Sequence, residues 1–333
     1  MKKSWFSPGR LAATGLLLLL FAVVAAWIAP ADGYQLQLVD PAHPVAPLVR
    51  ISGHPAKRNQ IYFVDVRERD ARLLERIVPW IRASGSSLVK APPISSTLDR
   101  RLGQVQMSDS QKVAPYVALK LLGYKPTARS GGVTILAVEP KAPASKVLQP
   151  NDVILAVDGT AIRTVAELRA QLARKRPGNQ IRLRYRRGNR TQESTLRTIA
   201  DPTAPKQALV GITASDNLQV KLPVDVSIDA QGIGGPSAGL AFALDILQEL
   251  GRNVTHGRRV AATGELALDG SVLPIGGVKQ KTLGVRRAGV DVFLVPAGEN
   301  AREARKYADG LRIIPVENVR QALRALATLG PKA

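Results

Sequence analysis

The residues best suited to chemistry lie in the stretch GIGGPSAGL from Gly232 to Leu240, which continues as an apolar run to Leu250 and then Gly251. Gly235 and the other glycines permit a tight turn, Pro236 suits the first position of a helix because no N–H is needed there, and Gly251 suits its end. Ser237 is thereby placed at a helix N-terminus. There, free backbone N–H groups and the positive end of the helix dipole can stabilise an oxyanion. Taken alone, such a turn also serves to cradle phosphate, so two kinds of chemistry stay open at this point.

A nucleophilic serine needs a base, and the stretch TGELALDGSVLPIGGVKQK from Thr263 to Lys281 offers two lysines. Asp269-Gly270 is a hairpin turn between apolar strands, Gly276-Gly277 is another sharp turn, and the pattern from Val278 onward predicts a helix. Residues two apart on a helix point about 200° away from each other, so at most one of Lys279 and Lys281 can face a given serine. A buried lysine of lowered pKa can stay neutral and take the proton of a hydroxyl. That matters here because His43, His54 and His256 are the only histidines, none of them beside a serine motif. The absence of cysteine excludes a thiol nucleophile, a disulfide framework and a thiolate metal site.

The elements that must carry these residues follow from periodicity. Ile61–Val66 alternates like a strand, helical spacing runs from about Arg69 to Ile81 and again from Ser108 to Leu122, and Gly123 stops the second helix. From Gly131 the pattern changes to short strands and turns. Asp158-Gly159 forms a tight turn, a helix is expected near Val165–Leu172, and Ile181, Leu183 and Tyr185 point inward between Arg182, Arg184 and Arg186. This series resembles a PDZ domain of the permuted bacterial kind over about 126–200, although Asn151 stands where that family usually has glycine. The resemblance implies a peptide groove between Gly132–Val138 and Val165–Leu172, with Gly132, Val133, Ile135, Val165 and Leu168 as its residues. A β-rich packing module without a ligand is the alternative.

The serine and lysine stretches together resemble the proteolytic domain of Lon proteases over about 205–330. Their place beside a PDZ segment resembles the membrane-anchored Lon-like PDZ proteases. The resemblance implies an α/β (α+β) Lon-type fold with a β-rich PDZ domain, Ser237 as nucleophile, Lys281 as general base 44 residues later and Thr263 as support for the lysine. Gly235 and Pro236 belong to the same motif. Gly234 departs from the acidic residue that ATP-dependent members often carry three positions before the serine. Leu102–Ala114 resembles the Lon segment leading into the first helix, so 32–125 is expected to be the first part of the protease domain, interrupted by the PDZ domain. A separate small α/β domain over 47–125 is the alternative.

The chain has 333 residues with 47 Lys plus Arg against 26 Asp plus Glu, a formal charge of +21. Such charge suits nucleic acid or an anionic surface. Leu11–Ile28 is an uncharged run of 18 residues preceded by Lys2, Lys3 and Arg10. It predicts a transmembrane anchor with 1–10 in the cytoplasm and the bulk of the chain outside it. That placement removes nucleic acid as a partner in favour of lipid headgroups or wall polymers. Ala29-Pro30-Ala31 leaves a cleaved signal peptide as the competing reading. The sequence contains no G-x-x-x-x-G-K-[ST] phosphate loop, so the expected activity is ATP-independent cleavage of unfolded or flexible polypeptides, recruited in part by C-terminal tails. No cofactor or metal is expected, and a homo-oligomer is compatible with this reading. The competing functions are an inert protease fold serving a PDZ-based scaffold and a small-molecule phosphotransferase.

Overall fold

A computed structural model describes residues 8–54, 60–92, 94–202, 204–230 and 232–330. Its helices are α1 (Pro8–Ile28), α2 (Leu73–Ile77), α3 (Ser96–Leu121), α4 (Val165–Ala173), α5 (Gly239–Glu249), α6 (Val278–Arg287), α7 (Glu299–Lys306) and α8 (Val319–Ala327). Within α1, Leu11–Ile28 has a mean hydropathy of 2.5 and is long and apolar enough to cross a membrane. By length and composition it is a candidate membrane span or signal sequence. Lys2 and Lys3, expected to set its orientation, lie outside the described residues.

The central layer is a five-stranded sheet in the order His43–Pro44, Ile61–Phe63, Val260–Ala262, Val292–Pro296, Arg312–Val316, parallel except for the His43–Pro44 edge. Its three central strands are largely buried on both faces, which explains their nearly unbroken apolar sequence. Alternate residues divide between two cores: Val260, Ala262, Val292 and Leu294 meet α3, α5 and α8, whereas Ala261, Phe293 and Val295 meet α6 and α7. The α5 side draws Val45, Phe63 and Val113 from upstream into the same apolar cluster as Phe242 and Leu326 from downstream.

A second sheet has its own core, built on Val133, Ile135, Ile154, Leu168, Leu183 and Tyr185. Its main order is Arg190–Arg197, Gln180–Arg187, Val153–Val157, Thr127–Val138, Ile212–Lys221. The first and last strands of this unit along the chain meet directly, since Thr127 is the register partner of Lys221 and Ile135 that of Ala214. The chain therefore leaves α3 and returns to the central layer through neighbouring strands. A third, antiparallel sheet pairs Pro30–Val39 with Val66–Arg72 on one side and Ser87–Lys90 on the other.

Two expected helices differ from those observed. The segment expected to be helical from Arg69 to Ile81 is a strand through Arg72, then the short α2 and a 3-10 turn at Pro79–Ile81. Pairing with Pro30–Val39 outweighs local helical spacing there. The helix expected from Ser108 begins at Ser96 instead, capped by the Ser95 hydroxyl accepting from Leu98 N–H.

Candidate active site

Ser237 lies in the turn just before α5, whose first residue is Gly239. Pro236 is thus outside the helix rather than at its first position, because its carbonyl is held by the turn: it accepts from Gly239 N–H at 3.4 Å and from the Ser110 hydroxyl at 3.0 Å. Gly235 N–H donates to Gly103 O at 2.8 Å. Gly103 and Ser110 stand seven residues apart on α3, two turns along one face, so a single helix grips the serine turn at two points. A Cβ on Gly103 would stand in van der Waals contact with the Gly234–Gly235 backbone, so helix and turn lie close together. Neither residue was recognisable from sequence as part of the site. The only signal was the Lon-like look of the stretch that contains them.

The carbonyl of Ser237 accepts two further hydrogen bonds, from Gly264 N–H at 2.8 Å and from the Thr263 hydroxyl at 3.2 Å. Thr263 follows the strand Val260–Ala262 directly and is fully buried. Its N–H donates to Leu294 O of the neighbouring strand, so the sheet fixes its position. Among the described residues, the N–H groups of Ser237 and Ala238 meet no acceptor, which leaves two donors at the N-terminal end of α5.

Lys281 stands one turn into α6, whose N-cap Gly277 adopts a left-handed φ of 67°. A side chain at Gly277 would lie 2.5 Å from Val66. The Lys281 side chain is 4% exposed and its Nζ donates to Thr263 Oγ1 at 3.4 Å. Thr263 thus touches both Lys281 and the serine backbone. Lys281 and Ser237 line the same cleft of about 1260 Å³, together with Asp65, Glu68, Met107 and Gly277. No direct hydrogen bond joins their side chains among the described residues, a common condition in unliganded sites. Lys279 points elsewhere: its Nζ donates to Ser86 O and Ser87 Oγ, both at 3.3 Å, and lies over the Tyr307 ring.

Burial pulls the Lys281 ammonium down to about 8, against the opposing pull of the Asp65 and Glu68 carboxylates. Asp65 is itself raised above the ordinary carboxylate value, first by burial and then by the charge of Asp40. Asp40 is bound at 2.8 Å by His43 and at 3.0 Å by Arg67. A neutral amine is therefore accessible close to neutral pH in the cleft that Ser237 also lines. This is a set of groups suited to acyl transfer.

The expected peptide groove needs correction. Gly132, Val133 and Ile135 lie on Thr127–Val138, which pairs with Val153–Val157 on one side and Ile212–Lys221 on the other. A strand with two partners has no edge to offer a peptide, and Val133 and Ile135 are fully buried. The outer strand on this side of the sheet is Ile212–Lys221 instead. Val165 and Leu168 of α4 remain beside it, with Val165 N–H donating to Asp216 Oδ1 at 2.7 Å.

Residues 203–328 match the Lon protease (S16) C-terminal proteolytic domain, and residues 120–198 match the PDZ domain. Lon protease 1 of Myxococcus xanthus is 43% identical over 99 residues, covering 28% of this chain and 12% of that protein. The Lon protease of Chloroflexus aggregans is 32% identical over 149 residues, 44% of this chain and 18% of that protein. The chain thus spans less than a fifth of the length of these relatives. Among solved structures, the PDZ domain of the SdrC-like protein from Listeria monocytogenes is 26% identical with a TM-score of 0.24, covering 25% of this chain and 87% of that one. On the two domain-family matches, the chain carries a Lon protease (S16) proteolytic domain preceded by a PDZ domain.

Proposed function

We propose that the protein is a membrane-anchored, ATP-independent serine endopeptidase in which Ser237 is the nucleophile and Lys281 the general base. The observation that carries this reading is the buried Lys281 ammonium, joined through Thr263 to the serine turn and facing the same cleft. In this reading the Ser237 hydroxyl oxygen attacks the scissile carbonyl carbon while its proton passes to the neutral Lys281 amine. The Ser237 and Ala238 N–H groups receive the oxyanion. The lysine ammonium then returns the proton to the leaving amine, and water, deprotonated by the same lysine, hydrolyses the acyl-enzyme.

The rest of the reading concerns delivery of substrate. The outer strand Ile212–Lys221 beside α4 is suited to adding a polypeptide tail as a further strand. We take residues 45–122 and 226–329 as one protease domain, supported by their shared apolar core, with the PDZ unit inserted between them. With α1 as an uncleaved anchor, the cleft lies outside the cytoplasm. Protease added to intact cells should then degrade the chain from Pro30 onward, and protection of its C-terminal region would refute that topology.

A fluorophosphonate probe tests the chemistry. It should label the wild type, fail on Ser237→Ala and Lys281→Ala, and label Lys279→Ala nearly as well as the wild type, with peptide cleavage following the same pattern. Labelling lost in Lys279→Ala and kept in Lys281→Ala would overturn the base assignment. An unlabelled wild type would instead favour a PDZ-based scaffold or a phosphotransferase.

A further inference from the structure

Outside α1, the two most exposed large apolar side chains among the described residues are Trp80, 84% exposed, and Ile77, 63% exposed. They stand three residues apart, on the 3-10 turn and on the end of α2. Neither lines the active-site cleft. An exposed isoleucine and tryptophan three residues apart leave apolar surface in water, and such a pair is a candidate interaction surface.

The position of α2 identifies what that surface meets. The chain passes from Ile28, the last residue of α1, to Pro30, the first residue of a strand, with only Ala29 between. Ala29 O accepts from Leu73 N–H at 2.9 Å, and Pro30 pairs with Arg72. The Arg72 guanidinium stacks 4.7 Å from the centre of the Trp27 ring, in the last turn of α1. These contacts hold α2 level with the end of the apolar helix, where a bilayer changes from acyl chains to headgroups.

The charges beside the apolar pair fit the same surroundings. Arg72, Arg76 and Arg82 lie along the segment, whereas its acid, Glu75, is buried at 3% exposure and held by Arg69 and by Arg72 N–H. Arg82 donates from Nε to Glu75 O and from Nη2 to Arg76 O, which fixes the turn that presents Trp80. The Arg76 guanidinium stacks on Tyr34 of the adjoining strand. A fixed apolar pair rimmed by arginines is the pattern of a segment lying in a membrane interface.

We propose that α2 and the Pro79–Ile81 turn form a foot on the bilayer that α1 crosses: Ile77 and Trp80 enter the interface, and Arg72 and Arg76 meet anionic phosphates. The proposal rests on α1 being the membrane span. It gives the foot a task that a single helix cannot perform, because one span leaves the protein free to tilt, whereas a second contact fixes the angle at which the cleft stands above the membrane.

Tryptophan fluorescence of the full chain tests this, because the sequence holds only Trp5, Trp27 and Trp80. The Trp5→Phe/Trp27→Phe variant is reconstituted in phosphatidylcholine–phosphatidylglycerol vesicles, with or without bromine near the headgroup end of the acyl chains. Trp80 should emit at shorter wavelength than a water-exposed indole, lose about half or more of its emission to the brominated lipid, and be quenched weakly by acrylamide. The Trp5→Phe/Trp80→Phe variant reports Trp27 and serves as the control for the span. If Trp27 is quenched by the lipid and Trp80 is not, the foot is refuted, whether Trp80 proves open to water or covered by protein. If Trp27 is not quenched either, the span is refuted and the foot with it.

Discussion

Lys281 is held at 4% exposure, where burial lowers its affinity for a proton to a pKa of about 8 from 10.5. Cleavage should therefore rise with pH through a midpoint near 8 as the amine becomes neutral. Asp65 and Glu68 favour the charged amine, so removing either carboxylate should move the rising limb to lower pH. A kcat/KM profile of Asp65→Asn that stays in place or moves to higher pH would show that Asp65 does not act on the lysine. The same burial has a stability consequence. Between about 8 and 10.5 the unfolded chain keeps a proton that the folded chain has released, so this group's contribution to stability improves with rising pH across that window. Below it the full cost applies, roughly 3 kcal/mol for such a shift. Lys281→Met should raise the unfolding free energy at pH 7 by up to about that amount, with the gain fading by pH 10. Denaturant unfolding at both pH values measures it.

At the scale of elements, α5 and α6 differ in what holds them. Every residue of α5 from Gly239 to Leu247 is buried, including Asp245, whose Oδ2 is buried without a partner among the described residues. Burial and the nearby Glu249 charge raise Asp245 to about 8. The sign is opposite to that of Lys281: the folded chain keeps a proton that the unfolded chain loses near 3.8, so stability declines as pH rises from about 4 to 8. Asp245→Asn should flatten that decline, as seen in melting temperature against pH, and an unchanged slope would exclude Asp245 as its source. Helix α6 is held by close approach of backbone. A side chain at Gly284 would collide with the Asp40 carbonyl oxygen, and one at Gly277 would meet Val66 in a left-handed conformation, whereas Gly276 has open space. Gly284→Ala and Gly277→Ala should each cost on the order of 3 kcal/mol or more and reduce probe labelling by displacing Lys281. Gly276→Ala should unfold like the wild type. Equal thermal stability of the three variants would refute this account.

Across the whole molecule, the decisive feature is that upstream and downstream segments share one core while the PDZ unit has its own. Because Thr127 and Lys221 are register partners, replacing 128–220 by a short glycine linker should leave the chain ends where they are. That protein should fold and react with the probe, but cleave tail-bearing substrates less well. A chain beginning at Ala204 lacks α3, Val45 and Phe63, all of which contribute to the core, and should be insoluble. Soluble, reactive protein from that start would show that the downstream part folds alone.

Much was visible in the sequence because it depends on neighbours along the chain. The apolar anchor candidate, the Asp269-Gly270 turn, the start of α6 at Val278 and the inward alternation of Ile181, Leu183 and Tyr185 are set by local periodicity and turn chemistry. So is the rule that Lys279 and Lys281 point apart. Periodicity did not say which lysine faces the cleft, although the family resemblance pointed to Lys281; packing of α6 on the central sheet fixes which side of the helix is buried and puts Lys281 in the cleft with Ser237. Tertiary structure alone decided that Gly103 and Ser110 grip the serine turn, because those contacts join residues more than a hundred positions apart. The peptide edge was misassigned for the same reason. Alternation along Thr127–Val138 shows that it is a strand, but whether a strand is an edge depends on what lies beside it, and its second neighbour arrives from about eighty residues downstream.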